Sequence, residues 1–322
     1  TGSAGGVAVS LVDVGVNNAN ANTATKAEAY LRAAGDVIVN GAADILAQAS
    51  RLEALANGRE RKINVSGVNV AVNQVEAILG GEQKAFAEVR GNMTAYRRMT
   101  VRSLINDSKA KAVNGYTGGG SGVSVNLVGV KVNKANAQSK TSNEAYIRGL
   151  GEEAAIKAAA LELTAKSFTQ AEAMTASGVD VGVVATVGVY ESTSSTGDTV
   201  AAWLENVALE SDGDVVVEAI GNTSSNSTAN TGGGGLLDTD SSTASACVGS
   251  EASAQKVSVQ VKGGSVTAEG DIELRAYNTG NARAKIQKGI SVGIIGNISD
   301  KALPTTAWYE TDVLVTDGAQ LV

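Results

Sequence analysis

"SGVSVNLVGVKVN", residues 121–133, decides the fold because it alternates apolar and polar residues and breaks the alternation once. Val123, Val125 and Leu127 are spaced by two; Val128, Val130 and Val132 are spaced by two in the opposite phase. Period two is the signature of a β-strand. A strand with one buried face cannot change phase along a straight line, because a slip of one residue moves the whole apolar set to the other side. The adjacent pair Leu127/Val128 therefore reads as a corner or bulge, with both side chains directed inward. The same break stands 116 residues earlier at Leu11/Val12, and again at Val183/Val184 and Ile294/Ile295.

Working outward from this stretch, the chain is an imperfect repeat. A glycine precedes an alternating apolar run at Gly6, Gly67, Gly122, Gly178, Gly235 and Gly289. These divide one continuous array, 1–322, into approximate repeats 6–66, 67–121, 122–177, 178–234, 235–288 and an incomplete 289–322. Tyr30 and Tyr146 occupy one column, each inside Glu-Ala-Tyr, and Trp203 lies one residue further on in its repeat. Leu161, Leu163, Ala165, Ala171 and Ala173 precede Gly178 by the same offsets at which Ile272, Leu274, Ala276, Ala282 and Ala284 precede Gly289. That match assigns strand to 152–174, which alone reads as helix from its Ala, Glu, Leu and Lys. Segment 42–62 carries the same ambiguity. Short strands, corners and self-similarity predict an all-β parallel β-solenoid of about six repeats of ~55 residues. Segments 121–140, 141–158 and 159–176 suggest three coils per repeat, with two wider coils as the alternative. Three coils would give about 15 coils and a rod of ~70 Å. A β-sandwich array is disfavoured, since its domains run nearer ~100 residues.

Composition agrees with tight stacking. The chain has 38 Gly, one Pro, two Phe, two Trp and seven Tyr, so Ala, Val, Leu and Ile fill its layers. The net charge of −7 argues against nucleic acid or an anionic membrane as partner. The single cysteine, Cys247, excludes an intrachain disulfide. There is no histidine, which removes the commonest general base and the commonest transition-metal ligand. No membrane-inserted segment is expected. Opening at TGSAGG without Met, the sequence reads as a processed chain or an excerpt.

Candidate sites are few. Glu210, Asp212 and Asp214 alternate in "ESDGD" and are the weak candidates for calcium ligation on a turn, against the plainer reading of a polar turn. Asp238 and Asp240 are a fainter version, and no GGxGxD nonapeptide is present. "RGNMTAYRRMTVR", 90–102, is basic around Tyr96 and is either an anionic-ligand contact or a solvated strand face. Asn64-Val65-Ser66 and Asn222-Thr223-Ser224 fit a glycosylation sequon, as composition alone produces. Tyr30, Tyr146 and Trp203 are a ligand ladder or, more simply, an aromatic stack in the core or at a corner. Neither a catalytic nor a cofactor-binding residue is assigned.

"GDVVVEAIGNTSSNSTANTGGGGLL" (213–237) and "AEGDIELRAYNTGNARAKIQKGISVGI" (268–294) resemble the Gly/Ala/Val-rich repeats of giant bacterial filamentous adhesins, leukotoxin-type and, more broadly, filamentous-haemagglutinin-like. The carrying residues are Gly213-Asp214, Ala229, Gly232 to Gly235, and Val123 to Val132 with Ala145-Tyr146. The resemblance covers most of the chain. It implies a secreted or cell-surface bacterial stalk or adhesin, and the repeat together with the absence of site chemistry makes the expectation a stiff structural or adhesive fibre module that is not an enzyme. Its partners would be neighbouring repeats or copies stacked head to tail, and a glycan or host surface. The alternatives are a polysaccharide-active β-helix enzyme using carboxylates, Lys or Arg with calcium, and a glycan- or host-protein-binding module on a solenoid scaffold. Both ends are expected to continue, because neither carries the polar, atypical cap of a free solenoid.

Overall fold

A computed structural model describes residues 2–115, 123–151, 154–175, 179–231, 234–250, 254–288, 292–302 and 305–322. The repeat glycines Gly122, Gly178 and Gly289 lie outside them. Among the described residues there are strands and turns and no helix. All pairings are parallel and run through one continuous sheet of β-solenoid type. Segment 152–174 is strand over Ala155–Thr175, and the ambiguous 42–62 is strand in Ala43–Ala49 and from Leu52 onward. Propensity loses here because Ala155–Thr175 has a hydrogen-bonding neighbour on both sides and Ala43–Ala49 has one along its whole length, while a lone helix would leave those edges open.

The pairing register corrects the expected coil size. Val14 lies beside Val70, Val70 beside Val130, and Val130 beside Val187. Met99 lies beside Leu161, Leu161 beside Val215, and Val215 beside Ile272. Partners are separated by 52 residues at the least (Ala185 and Leu237) and 63 at the most (Asn92 and Ala155). A whole repeat is thus one wide coil, and neither three coils of 18–20 residues nor two wider ones occur. The chain rises one strand spacing, ~4.8 Å, for each ~56 residues, so the stack extends roughly 25 Å and not ~70 Å.

One coil shows why. Val123–Gly149 runs out and Ala155–Thr175 runs back, so the coil is a flattened loop with inward side chains between two legs. At the far end Ala145 and Ile147 face Ile156, Leu161 and Leu163 in the larger apolar cluster. Nearer the start, Ala135 and Ala137 face Ala171 and Ala173 in a second, thinner cluster. Between them the interior is polar. Asn143 Nδ2 donates to Ser103 O (3.0 Å) and Lys166 O (2.6 Å), tying the outgoing leg to two return legs, and Ser103 Oγ donates back to Asn143 Oδ1. One coil earlier Gln83 Nε2 bridges Ala47 O and Leu104 O in the same way. Such bonds satisfy amides that would otherwise be buried at high cost.

The adjacent apolar pairs are at corners, as expected, but they point the other way. The ladder skips Leu11 and Gly67 between Ser10/Ser66 and Val12/Val68, and its register shifts between Asn126 and Val128. Yet Leu11 is 84% exposed, Leu127 53% and Val183 58%, with Val12, Val128 and Val184 also exposed. The side chains of Ile294/Ile295 lie outside the described ones. The reason is space. The corner is acute, a spur whose two arms come close together: a Cβ on Gly182 would meet Ala185 O at 2.7 Å, and one on Gly129 would meet Asn126 Nδ2 at 3.4 Å. The inside is filled mainly by small groups that bond to one another: Ser66 Oγ donates to Asn126 Oδ1 (2.8 Å) and Thr186 Oγ1 to Asp238 Oδ1 (2.6 Å). Branched apolar side chains are left outside.

Candidate functional site

Three groupings carry chemistry beyond plain packing. The first is a column of rings on the outer face of the outgoing legs. With Ala29, Ala85, Ala145 and Ala202 directed inward, their successors Tyr30, Phe86, Tyr146 and Trp203 point outward in register. The rings stack face to face at centroid separations of 5.2, 4.7 and 4.1 Å, within 13° of parallel. Two residues further along, Arg32, Glu88, Arg148 and Glu205 form a second column of alternating charge. Arg32 Nε meets Glu88 Oε2 at 2.7 Å, Arg148 Nη1 meets Glu88 Oε1 at 4.0 Å, and Arg148 Nε meets Glu205 Oε2 at 2.6 Å. The guanidinium groups lie over the rings, Arg32 4.8 Å from the Tyr30 centroid and Arg148 4.9 Å from that of Trp203. Solvent screening keeps each of these partly exposed ion pairs and cation–π contacts weak. Burial pushes the Tyr146 phenol up. Stacking and the flanking arginines leave Phe86 and Tyr146 almost no exposed surface, so the middle of the column is no platform for a sugar. The rings stack, as the plainer sequence reading expected, on the outer face and outside the two apolar clusters, with Phe86 and Tyr146 buried within the column. Phe86 was missed. It sits in Lys-Ala-Phe where the neighbouring coils have Glu-Ala-Tyr, and alignment at the true pairing offset finds it.

The second is a buried carboxylate. Asp198 is fully enclosed in the polar belt between the two apolar clusters. Its Oδ1 accepts from the backbone N–H of Thr141 (2.8 Å) and from Thr141 Oγ1 (2.9 Å), and its Oδ2 accepts from Thr169 Oγ1. Desolvation pushes its pKa up to about 6 against the opposing pull of those three donors. It ties two outgoing legs and a return leg together. No sequence signal marked it, because an Asp after Gly197 reads as an ordinary turn residue.

The third is the set of acidic turn residues. Glu210, Asp212 and Asp214 are all exposed, but they do not converge. Asp212 lies 3.8 Å from Lys157 Nζ, and Asp214 Oδ1 accepts the backbone N–H of Asp271 at 3.0 Å. Asp36 does the same for Asn92 at 2.9 Å, so the Asp214 carboxylate caps the turn of the next coil. Asp238 and Asp240 face into the spur and are buried, in place of the surface turn their sequence suggested. Among the described residues no three His, Cys, Asp or Glu side chains form a metal-holding group. In 90–102 the ladder skips Tyr96 and Arg97 between Ala95 and Arg98, so the two bulge outward. Tyr96 is 64% exposed, and Arg98 reaches Glu162 at 3.4 Å. Asn222 is an exposed strand residue, and the side chain of Asn64 lies outside those described.

Compared with models of protein families, with curated proteins and with solved structures, the chain finds no match.

Proposed function

We propose that this chain is a stiff, non-catalytic segment of a long extracellular or cell-surface bacterial fibre, structural or adhesive in role. It would be built from about six ~55-residue repeats of one coil each. The observation that carries the reading is the continuity of columns along the axis. Backbone ladder, ring stack, alternating ion pairs and amide bridges each pass from coil to coil with the same register. Such an object resists bending and shear because successive coils are bonded along both legs, and its reach grows with repeat number. The fibre's partners in this reading are further coils or copies meeting it end to end, with a glycan or host surface at its exposed sites. Calcium at Glu210, Asp212 and Asp214 is no part of this reading, because two of those carboxylates already serve turns and an ion pair.

Antibodies raised against the chain should label material projecting from intact cells that make it. The purified chain should bring about no turnover of acidic polysaccharides with or without calcium. Intracellular labelling, or robust turnover, would replace the reading with another.

A further inference from the structure

The outer side of the spur carries an apolar surface that the fibre reading does not use. Beyond the corner, the outward positions of four successive coils are Val12, Val14 and Val16; Val68, Val70 and Val72; Val128, Val130 and Val132; and Ala185, Val187 and Val189. The ridge beside them continues through Leu127, Val183, Leu236 and Leu237. This is a lattice of branched side chains on the outer sheet face, with no charge inside it. Its border is polar: the next outward column is Asn18, Gln74, Lys134 and Glu191, the last two joined at 2.8 Å. Val14 is 66% exposed, Val187 40% and Leu237 45%. Taking about 100 Å² of apolar surface for a fully exposed aliphatic side chain, the lattice and ridge leave roughly 700 Å² in water. A typical monomer's largest apolar patch is about 300–600 Å². A standard interface buries about 800 Å² per partner around an apolar centre with a polar rim.

We infer that this face is a lateral interface that takes a second copy of the same chain. The lattice repeats along the axis at the ~4.8 Å spacing of stacked strands, so its ridges and grooves fit best against a surface with that same repeat. A second copy has it by construction. A two-fold axis parallel to the stacking axis and lying between the two sheets lays one lattice face to face on the other, each coil opposite its own equivalent, which is the self-complementary contact of an isologous dimer. The spur explains why the surface exists: its narrow inside is filled mostly by Ser, Asn, Thr, Asp, Gly and Ala, and the valines become the outside of one copy and the inside of the pair. Fibres would then bundle side by side, independently of any end-to-end joining.

The test is sedimentation of the full 322-residue chain across a concentration range, with the triple variant Val14→Thr/Val128→Thr/Val187→Thr beside it. Threonine keeps the branched shape and strand preference of valine while adding a hydroxyl. Wild type should dimerise reversibly, and the variant should associate at least tenfold more weakly with unchanged circular dichroism and melting temperature. Should the variant misfold, Val187→Cys in a Cys247→Ser background supplies a second reading. It should form an intermolecular disulfide on oxidation, whereas Lys157→Cys on the return leg should not. A wild type that stays monomeric, association that the threonines do not weaken, or cross-linking equally efficient at both cysteines would overturn the inference. So would adsorption of a monomeric chain to neutral phosphatidylcholine vesicles.

Discussion

Replacing Asp198 by Asn should make the fold more stable at neutral pH and leave it unchanged in acid. In the folded chain the carboxyl is fully buried with its pKa pushed to about 6, against 3.8 as its ordinary value. The folded state therefore holds a proton that the unfolded state has released between roughly pH 4 and 6. Stability depends on pH through the difference in bound protons, so this group's contribution is fully present below pH ~4 and is lost as pH rises to ~6. Above that both states are ionised and the loss is constant. About two pKa units at 1.36 kcal/mol each put the loss near 3 kcal/mol. Asparagine is neutral and nearly the same shape. Its oxygen keeps the Thr141 N–H and Thr141 hydroxyl bonds (2.8 and 2.9 Å), and its amide can donate to the Thr169 hydroxyl, which turns to accept. Urea unfolding of both proteins from pH 3.5 to 8 should thus show curves that coincide in acid and separate, asparagine above aspartate, across pH 4–6. Every other carboxylate is common to the pair and cancels in the difference. A difference that does not vary with pH, or one of opposite sign, would refute the buried-carboxylate assignment. Asp198→Ala should be worse than either, by about 1–3 kcal/mol for each donor left unpaired.

Leu163→Ala in the wide apolar lobe should lower stability by about 2–5 kcal/mol, measured by denaturant unfolding, because the site is fully buried and its neighbours are held by backbone ladders on both sides. Ala137→Leu in the thin waist should cost about 1–3 kcal/mol through overpacking, since Ala171 and Ala173 face it with no room to yield; an unchanged midpoint would show that the waist is loose. Asn143→Ala should destabilise by about 1–3 kcal/mol by removing its bridge between Ser103 O and Lys166 O, whereas Asn136→Ala on the exterior should have little effect. Phe86→Ala should interrupt the ring column and change the near-ultraviolet dichroism of Tyr146 and Trp203, while the far-ultraviolet signal is kept.

Much of the architecture was legible as columns. The glycine-led alternation of Val and Leu, the Glu-Ala-Tyr column and the paired apolar residues gave strand, repeat and corner, and all three are features of the fold. Sidedness was not legible, because period two reveals two faces without saying which is inside. The clue was the intervening residues: Asn17, Asn73 and Asn133 share one column, and Asn17 Nδ2 and Asn73 Nδ2 each donate to the next at 2.9 Å along the inside. An in-register asparagine ladder suits a narrow polar interior as well as valine suits an apolar one. Coil size was illegible for a different reason. Whether a 56-residue repeat closes once or three times depends on contacts between legs, such as Asn143 with Lys166, that no local pattern encodes. The candidate chemistry was the least legible part. Asp198 and the Arg32–Glu88–Arg148–Glu205 column acquire meaning only when residues of different coils meet.

The most direct test of one coil per repeat is a distance. Asn22, Ile78, Gln138, Ser195 and Cys247 lie on one outward column, each beside the next. Spin labels on Cys247 and on an introduced Asn22→Cys would then sit four strand spacings apart, about 19 Å between backbones. Pulsed electron-electron resonance should give a single narrow distribution near that value, widened only by the label arms. Coils of 18–20 residues would put the same two positions about 58 Å apart, and a distribution centred there would contradict the fold.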